Sequence, residues 1–142
     1  LMADHPNICA VKEASGNISY VARLIAEYGD KLDVYSGNDD QIVPIMSLGG
    51  KGVISVLSNI LPLETHQIAQ ECLDNNVKKA AQMQLKYLDL INSLFIEVNP
   101  IPVKEAMNII GMNAGPCRMP LVNISENNAR VLKNSLNKIN LI

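Results

Sequence analysis

The sequence lacks any strong excess of charge, and it has no long apolar run. Its 142 residues carry a formal net charge of −2 at pH 7. Proteins that bind nucleic acid or an anionic membrane surface through their charge present a basic face, so this balance argues against both partners. The apolar segments are also shorter than the roughly 20 residues that a membrane-spanning helix needs.

Cysteine and histidine are scarce, with three of the first and two of the second. Cys9, Cys72 and Cys117 are far apart and form no CxxC pair, which favours buried free thiols in a reducing cytoplasmic setting over a disulfide framework. Neither His5 nor His66 has a second ligand at metal-binding spacing. The sequence therefore predicts no metal site, and nothing in it calls for a cofactor.

Hydrophobic residues make up 48% of the chain. This content argues against disorder, and the length is sufficient for one ordinary domain with a core. The chain begins with Leu1, which is not an ordinary initiator, and an apolar strand follows almost at once. We therefore expect residues upstream and interpret the chain as part of a longer protein.

The first half of the chain alternates short apolar runs with helical patterns. The runs are typical of buried strands, and the helical pattern after Asn17, a plausible N-cap, ends near Gly29. This βαβαβ order predicts a parallel sheet with right-handed crossovers. The predicted strands are 8–12, 32–36 and 53–57, and the predicted helices are 18–28 (with Ile18, Val21, Leu24, Ile25 and Tyr28 on one face) and about 40–47.

After Pro62 the strand signals stop, and helical patterns cover 62–75, 77–97, 103–111 and 125–139. We divide the chain into an α/β part, residues 1–75, and a helical part, residues 76–142. Three parallel strands alone leave both outer edges unpaired, whereas a (β/α)₈ barrel closes with eight. The sequence therefore predicts an α/β fold with three βα units of a partial barrel and a C-terminal helical domain. An apolar stripe for core or subunit packing is predicted at Leu85, Leu88, Ile91, Leu94 and Phe95.

Reactive groups of parallel α/β folds gather at the carboxyl ends of the strands. Lys12 lies there on the first strand. Burial disfavours the charged form of a lysine, and a neutral amine can attack a ketone and form an imine. The alternative is that Lys12 pairs with a carboxylate, such as that of Glu13 or Asp39. The pattern leaves both interpretations open.

The turns after the second and third strands are the other candidates. Gly37 and Asn38 could let the backbone approach a small ligand, although a turn with a helix cap at residues 38–40 explains the same residues. On the third strand, Ile54 and Val56 share one face, and Val53 and Ser55 share the other. One face lines the barrel interior, and the pattern leaves open which.

Five segments of the chain, in order, carry a family resemblance: Val11–Asn17, Tyr35–Asp40, Gly49–Val56, Asn99–Lys104 and Arg118–Leu121. They resemble the dihydrodipicolinate synthase family of pyruvate-dependent class I aldolases. The match covers essentially the whole chain. The stretch Asn99–Lys104 is the more specific pointer to this family over N-acetylneuraminate and sugar-acid lyases.

The resemblance implies a lyase that condenses pyruvate with aspartate semialdehyde in the diaminopimelate route to lysine, with the full-length protein a cytoplasmic dimer or tetramer. Lys12 aligns with the lysine that forms the Schiff base with pyruvate. Ile54 aligns with a position whose backbone contacts pyruvate, and Gly37 with a glycine that lines the pocket. The three strands then correspond to the last three of the (β/α)₈ barrel.

The family's N-terminal half is not in this sequence. That half carries the paired threonines that hold the pyruvate carboxylate, the tyrosine proton relay, the arginine for the second substrate and the lysine feedback site. We therefore expect the chain alone to be inactive. Two alternatives remain at this point: another pyruvate-dependent aldolase, such as an N-acetylneuraminate or sugar-acid lyase, and a non-catalytic half-barrel or assembly module.

Overall fold

A computed structural model describes residues 4–142. Within this range, three strands form one parallel sheet in the order β1-β2-β3. The predicted α/β class with a parallel sheet is confirmed. The elements are β1 Ala10–Glu13, α1 Ile18–Tyr28, β2 Asp33–Ser36, α2 Ile42–Ser47, β3 Gly52–Val53, α3 Pro62–Leu73, α4 Val77–Lys86, α5 Leu88–Ser93, α6 Ile101–Ile109 and α7 Glu126–Lys138.

The sheet has one face covered by helices and one face that is largely open. Val34 is buried with Val21 of α1 and Ile45 of α2, and Val11 packs against the same cluster. Since side chains alternate along a strand, Lys12 and its register partner Tyr35 point to the opposite face. Lys12 is exposed there. The candidate nucleophile therefore lies on the face of the sheet that α1 and α2 do not cover.

Helix α1 forms as the pattern predicts. The side chain of Asn17 accepts a hydrogen bond from the Tyr20 amide at 3.1 Å and caps the helix. Gly29 follows the last turn with a φ of −60°. The backbone there is right-handed, so its conformation does not require glycine. Its lack of a side chain matters for space instead, because a Cβ there would lie 2.5 Å from the Ile25 carbonyl oxygen.

The third strand is much shorter than predicted. β3 covers only Gly52–Val53; residues 54–56 of the predicted strand 53–57 are irregular, and Leu57 begins a 3₁₀ turn that extends to Asn59. The physical reason is the buried carboxylate of Asp39, which accepts hydrogen bonds from the amides of Val56 and Leu57, both at 2.9 Å. These two amides are therefore bonded to a side chain from the turn after β2.

The predicted helix 77–97 is wrong, because it is two helices that meet at Tyr87. The stripe predicted for core or subunit packing is a core stripe only in part: Leu94 and Ile91 are buried, whereas Leu85 is 62% exposed and Phe95 is 41% exposed. Leu85 lies on the exposed side of α4, whose buried positions are Ala80 and Gln84.

The helical part packs against the end of the sheet around one large hydrophobic core. This core combines residues from both sides of position 75, such as Ile42 and Leu57 with Leu90 and Leu132. The proposed division at residue 75 lies between α3 and α4 and stays a prediction. Lys104 in the Asn99–Lys104 stretch donates a hydrogen bond to the Pro116 carbonyl at 2.7 Å, so this motif secures a loop of the helical part.

Three further features bear on the sequence predictions. The three cysteines are free, and the prediction that they are buried is wrong for Cys9, which is exposed at the entry to β1. No helix among residues 4–142 is both long and apolar enough to cross a membrane. The same part of the chain contains no group of three or more His, Cys, Asp or Glu side chains that could hold a metal ion.

Candidate active site

Lys12, Gly37 and Ile54 come together at one edge of the sheet. Lys12 is the third residue of β1, Gly37 follows β2 directly, and Ile54 follows β3 directly. Because the strands are parallel, all three lie at the carboxyl end of the sheet. The Ile54 amide donates to the Ser36 carbonyl at 2.8 Å, so Ile54 is held beside the residue that precedes Gly37.

The side chain of Lys12 passes directly over Gly37. A Cβ built on Gly37 would lie 2.8 Å from Lys12 Cε and 2.6 Å from the Cβ of Ala14. The Gly37 amide also donates to the Glu13 carbonyl at 2.7 Å, which holds the turn after β2 tightly against the end of β1. Glycine at this position therefore makes room for the lysine side chain, a role that fits a glycine lining a pocket.

Lys12 pairs with neither of the carboxylates that the sequence offered as partners. Glu13 is buried, with Oε1 accepting from the Ser15 amide at 2.8 Å and Oε2 without a hydrogen bond. Asp39 is directed to the segment after β3 instead. Among residues 4–142, neither Glu13 nor Asp39 pairs with Lys12, so the structure does not support the ion-pair interpretation.

Asp39 is a buried carboxylate that joins the turn after β2 to the segment after β3. Its side chain is fully buried, and Oδ2 accepts two consecutive backbone amides, those of Val56 and Leu57. Burial raises the pKa of Asp39, and the Ser55 hydroxyl and the Leu57 and Val56 amides oppose that rise. Oδ1 has no hydrogen bond of ordinary geometry, from Ser55 or any other described group.

The same turn is stiffened from within. The Ser36 hydroxyl donates to the Asn38 carbonyl at 2.7 Å and accepts from the Asn38 amide at 3.2 Å. Asn38 precedes the short 3₁₀ turn Asp39–Gln41 but makes no side-chain cap bond to it. The helix-cap interpretation of residues 38–40 is therefore wrong for Asn38 and Asp39, because Asp39 caps a different segment.

Sequence reasoning missed Gln84, which lies in α4 and reaches the same turn. Its Oε1 accepts from the Val43 amide at 2.9 Å, and its Nε2 donates to the Asp40 carbonyl at 2.7 Å. The signal was present in the pattern: Ala80 and Gln84 are spaced by four residues and are the buried positions of α4. A glutamine on the buried face of a helix requires polar partners there.

The arrangement is suited to amine chemistry at a carbonyl compound. The primary amine of Lys12 lies at the carboxyl edge of the sheet, and the Lys12 side chain packs over Gly37. The backbones of Ser36 and Ile54, which are hydrogen-bonded to each other, lie at the same edge. A carbonyl carbon that reached this edge could be attacked by Lys12 Nζ, and small ligands commonly bind at this edge of parallel sheets.

Comparison with known proteins identifies the family of this chain. The sequence profile of the dihydrodipicolinate synthetase family matches residues 1–139. A 4-hydroxy-tetrahydrodipicolinate synthase from Caldicellulosiruptor bescii is 58% identical over 135 residues, which is 95% of this chain and 45% of that protein. This chain therefore spans about half the length of the curated relatives that it matches.

Solved structures give the same result. A chloride-inhibited dihydrodipicolinate synthase from Acinetobacter baumannii, complexed with pyruvate, superposes with a TM-score of 0.94 at 34% identity, covering 99% of this chain and 48% of that one. A protein described as a monomeric dihydrodipicolinate synthase variant gives a TM-score of 0.93 at 36% identity, covering 99% and 48%. With a family profile that matches nearly every residue, the chain belongs to the dihydrodipicolinate synthetase family.

Proposed function

We propose that this chain is the C-terminal portion of a lyase that condenses pyruvate with aspartate semialdehyde through a Schiff base on Lys12, in the biosynthesis of lysine. The observation that carries the proposal is the position of Lys12, at the carboxyl end of β1 with its Cε packed over Gly37. Family membership supplies the reaction class. In the same proposal, β1 to β3 are the last three strands of a (β/α)₈ barrel.

The chemistry begins with attack by the Lys12 amine. Nζ adds to the ketone carbon of pyruvate, and the ketone oxygen leaves as water to give an imine. Loss of a proton from the methyl group then turns the imine into an enamine. The enamine carbon attacks the aldehyde carbon of aspartate semialdehyde and forms the new carbon–carbon bond, while the aldehyde oxygen takes up a proton and the imine re-forms. The amino group of the condensed product then adds to the imine carbon and displaces Nζ, which frees Lys12.

Gly37 and Ile54 have supporting roles in this proposal. Gly37 lines the pyruvate pocket and leaves room for the lysine side chain, and the backbone at Ile54 contacts the bound pyruvate. Ile54 itself is half exposed, and its amide is already bonded to Ser36, so the contact falls to its carbonyl group or to the next peptide. The full-length protein is proposed to be a homo-oligomer, which sedimentation of that protein tests.

Trapping with borohydride tests the nucleophile. Pyruvate and sodium borohydride together should reduce the imine and leave a carboxyethyl group on Lys12, located by mass spectrometry of its peptide. Lys51 provides a matched control, because this exposed lysine lies at the opposite, amino-terminal end of β3. Lys12→Arg should abolish the adduct and Lys51→Arg should retain it; equal labelling of both lysines, or none, would contradict the proposal.

A further inference from the structure

One side chain of the helical part holds the turn that faces Lys12. Gln84 is buried in α4, 41 residues beyond Val43 and 44 beyond Asp40 in sequence. It accepts from the Val43 amide and donates to the Asp40 carbonyl, so one amide group spans the junction between the 3₁₀ turn Asp39–Gln41 and α2.

The Val43 amide needs this partner. It belongs to the first turn of α2, whose amides have no partner within the helix, and Gln41 before the helix provides no side-chain cap. Val43 is buried, so water cannot easily replace a lost bond. Gln84 therefore caps α2 from a distant helix, a role that is normally played by the residue preceding a helix.

The turn Gly37–Val43 is thus secured on two sides. Gln84 in α4 is hydrogen-bonded to Asp40 and Val43 of this turn. The Asp39 carboxylate accepts from the Val56 and Leu57 amides. Gly37, the first residue of the turn, packs under Lys12 Cε. Asp40, to which Gln84 donates, is three residues from Gly37, so both restraints and the contact with the lysine lie within one short turn.

We propose that Gln84 is a positioning residue that holds the Gly37–Val43 turn so that Gly37 stays in place against Lys12. The inference rests on the proposed function for its catalytic consequence, whereas the restraint on the turn rests on hydrogen bonds alone. It makes the helical part a component of the reactive site, joined to it through one buried amide.

Gln84→Met tests the proposal with Gln82→Met as its matched control. Methionine keeps the length and most of the volume of glutamine, and Gln82 lies exposed in the same helix. Amide hydrogen exchange in the 142-residue chain should be faster by about tenfold or more at Val43, Gln41 and Gly37 in Gln84→Met. Exchange at these amides should stay at the wild-type rate in Gln82→Met.

Borohydride trapping of pyruvate on Lys12 gives the second readout, compared at equal folded fraction by circular dichroism. Gln84→Met should slow trapping about tenfold, and Gln82→Met should not change it. Wild-type exchange at Gly37 and Gln41 in folded Gln84→Met would overturn the proposal, and so would faster exchange with unchanged trapping. If no protein, wild type included, traps pyruvate, the proposed function fails, and the exchange rates alone decide the role of Gln84.

A second substitution keeps the test decisive if Gln84→Met does not fold. Gln84→Glu keeps an oxygen that can accept from the Val43 amide and, at a pH where it is ionised, presents a second oxygen to the Asp40 carbonyl in place of the donor. At that pH, exchange should rise more at Gln41 than at Val43. Equal rises at both amides, or none, would overturn the assignment of one bond to Val43 and the other to Asp40, and the proposal with it.

Discussion

Gly37 shows what a single missing side chain contributes at the residue scale. Its φ is not in the left-handed region, so backbone freedom is not the reason for glycine here. The reason is space, since a Cβ would meet Lys12 Cε at 2.8 Å and Ala14 at 2.6 Å. The sequence indicates that Gly37 could let the backbone approach a small ligand, but only the structure shows that Lys12 is its neighbour.

Gly37→Ala should therefore displace Lys12. We expect trapping of pyruvate on Lys12 to slow by about 100-fold, the scale associated with a misplacement of roughly 1 Å, measured by mass spectrometry after borohydride. Gly111→Ala is a suitable control: its φ of +87° makes alanine costly by about 1 kcal/mol, yet no atom lies within 4 Å of the added Cβ. An equal loss of trapping in both variants would argue that stability alone is responsible.

Asp39 predicts a particular dependence of stability on pH. Because burial raises its pKa in the folded state, the proton is bound more tightly there than in the unfolded chain, where the pKa is about 3.9. The stabilisation from this proton is complete below the unfolded pKa and is lost as the pH rises through the folded pKa. Asp39→Asn does not titrate and loses this dependence.

The difference in Tm between wild type and Asp39→Asn should consequently change across the acidic range. Relative to the variant, the wild type should be most stable near pH 3.5 and should lose that advantage towards neutral pH. Asp30→Asn removes the charge of an exposed aspartate that is not among the groups acting on Asp39, and it should retain the wild-type profile. Parallel Tm curves for wild type and Asp39→Asn would show that Asp39 does not contribute as described.

At the scale of elements, the sequence predicts best where the signal is local. Helix α1 begins at its Asn17 cap and ends at Gly29 because both signals lie within the helix itself. β3 ends early because Asp39, 17 and 18 residues away, takes the Val56 and Leu57 amides. Long-range hydrogen bonds of this kind leave no periodic pattern in the sequence. The β-branched residues at 53–57 therefore predict a longer strand than the one that forms.

The break at Tyr87 gives a prediction about packing. Leu90 of α5 is fully buried, whereas Leu85 of α4 is 62% exposed, although the sequence places both in one helical region. Leu90→Ala should lower the free energy of unfolding by about 3 kcal/mol, through lost burial and a residual cavity. Leu85→Ala should change it by less than about 0.5 kcal/mol. Urea unfolding measures both, and equal losses would contradict the difference in burial between Leu90 and Leu85.

At the scale of the whole molecule, the sheet presents a face and edges that nothing among residues 4–142 covers. Ala10, Lys12 and Asp33 are exposed on the open face, and β1 and β3 each have a strand neighbour on one side only. The matching relatives are about twice as long. In the proposed barrel, the additional strands would pair with both edges and enclose Lys12.

Complementation should therefore restore the reaction. A polypeptide with the part of the Caldicellulosiruptor bescii relative that this chain does not match, refolded together with it, should condense pyruvate with aspartate semialdehyde, whereas neither half should do so alone. Mixtures with Lys12→Arg should stay inactive and mixtures with Lys51→Arg should be active. Turnover by the isolated chain would contradict the expectation that it is incomplete.

The bond from Gln84 to Val43 also sets an order of events during synthesis. When residues 42–47 leave the ribosome, the group that completes the first turn of α2 has not yet emerged, because it lies 41 residues further along. Chains are made at about 5–20 residues per second, so for a few seconds water is the partner of the Val43 amide. The first turn of α2 therefore acquires its final hydrogen bond only after α4 has emerged.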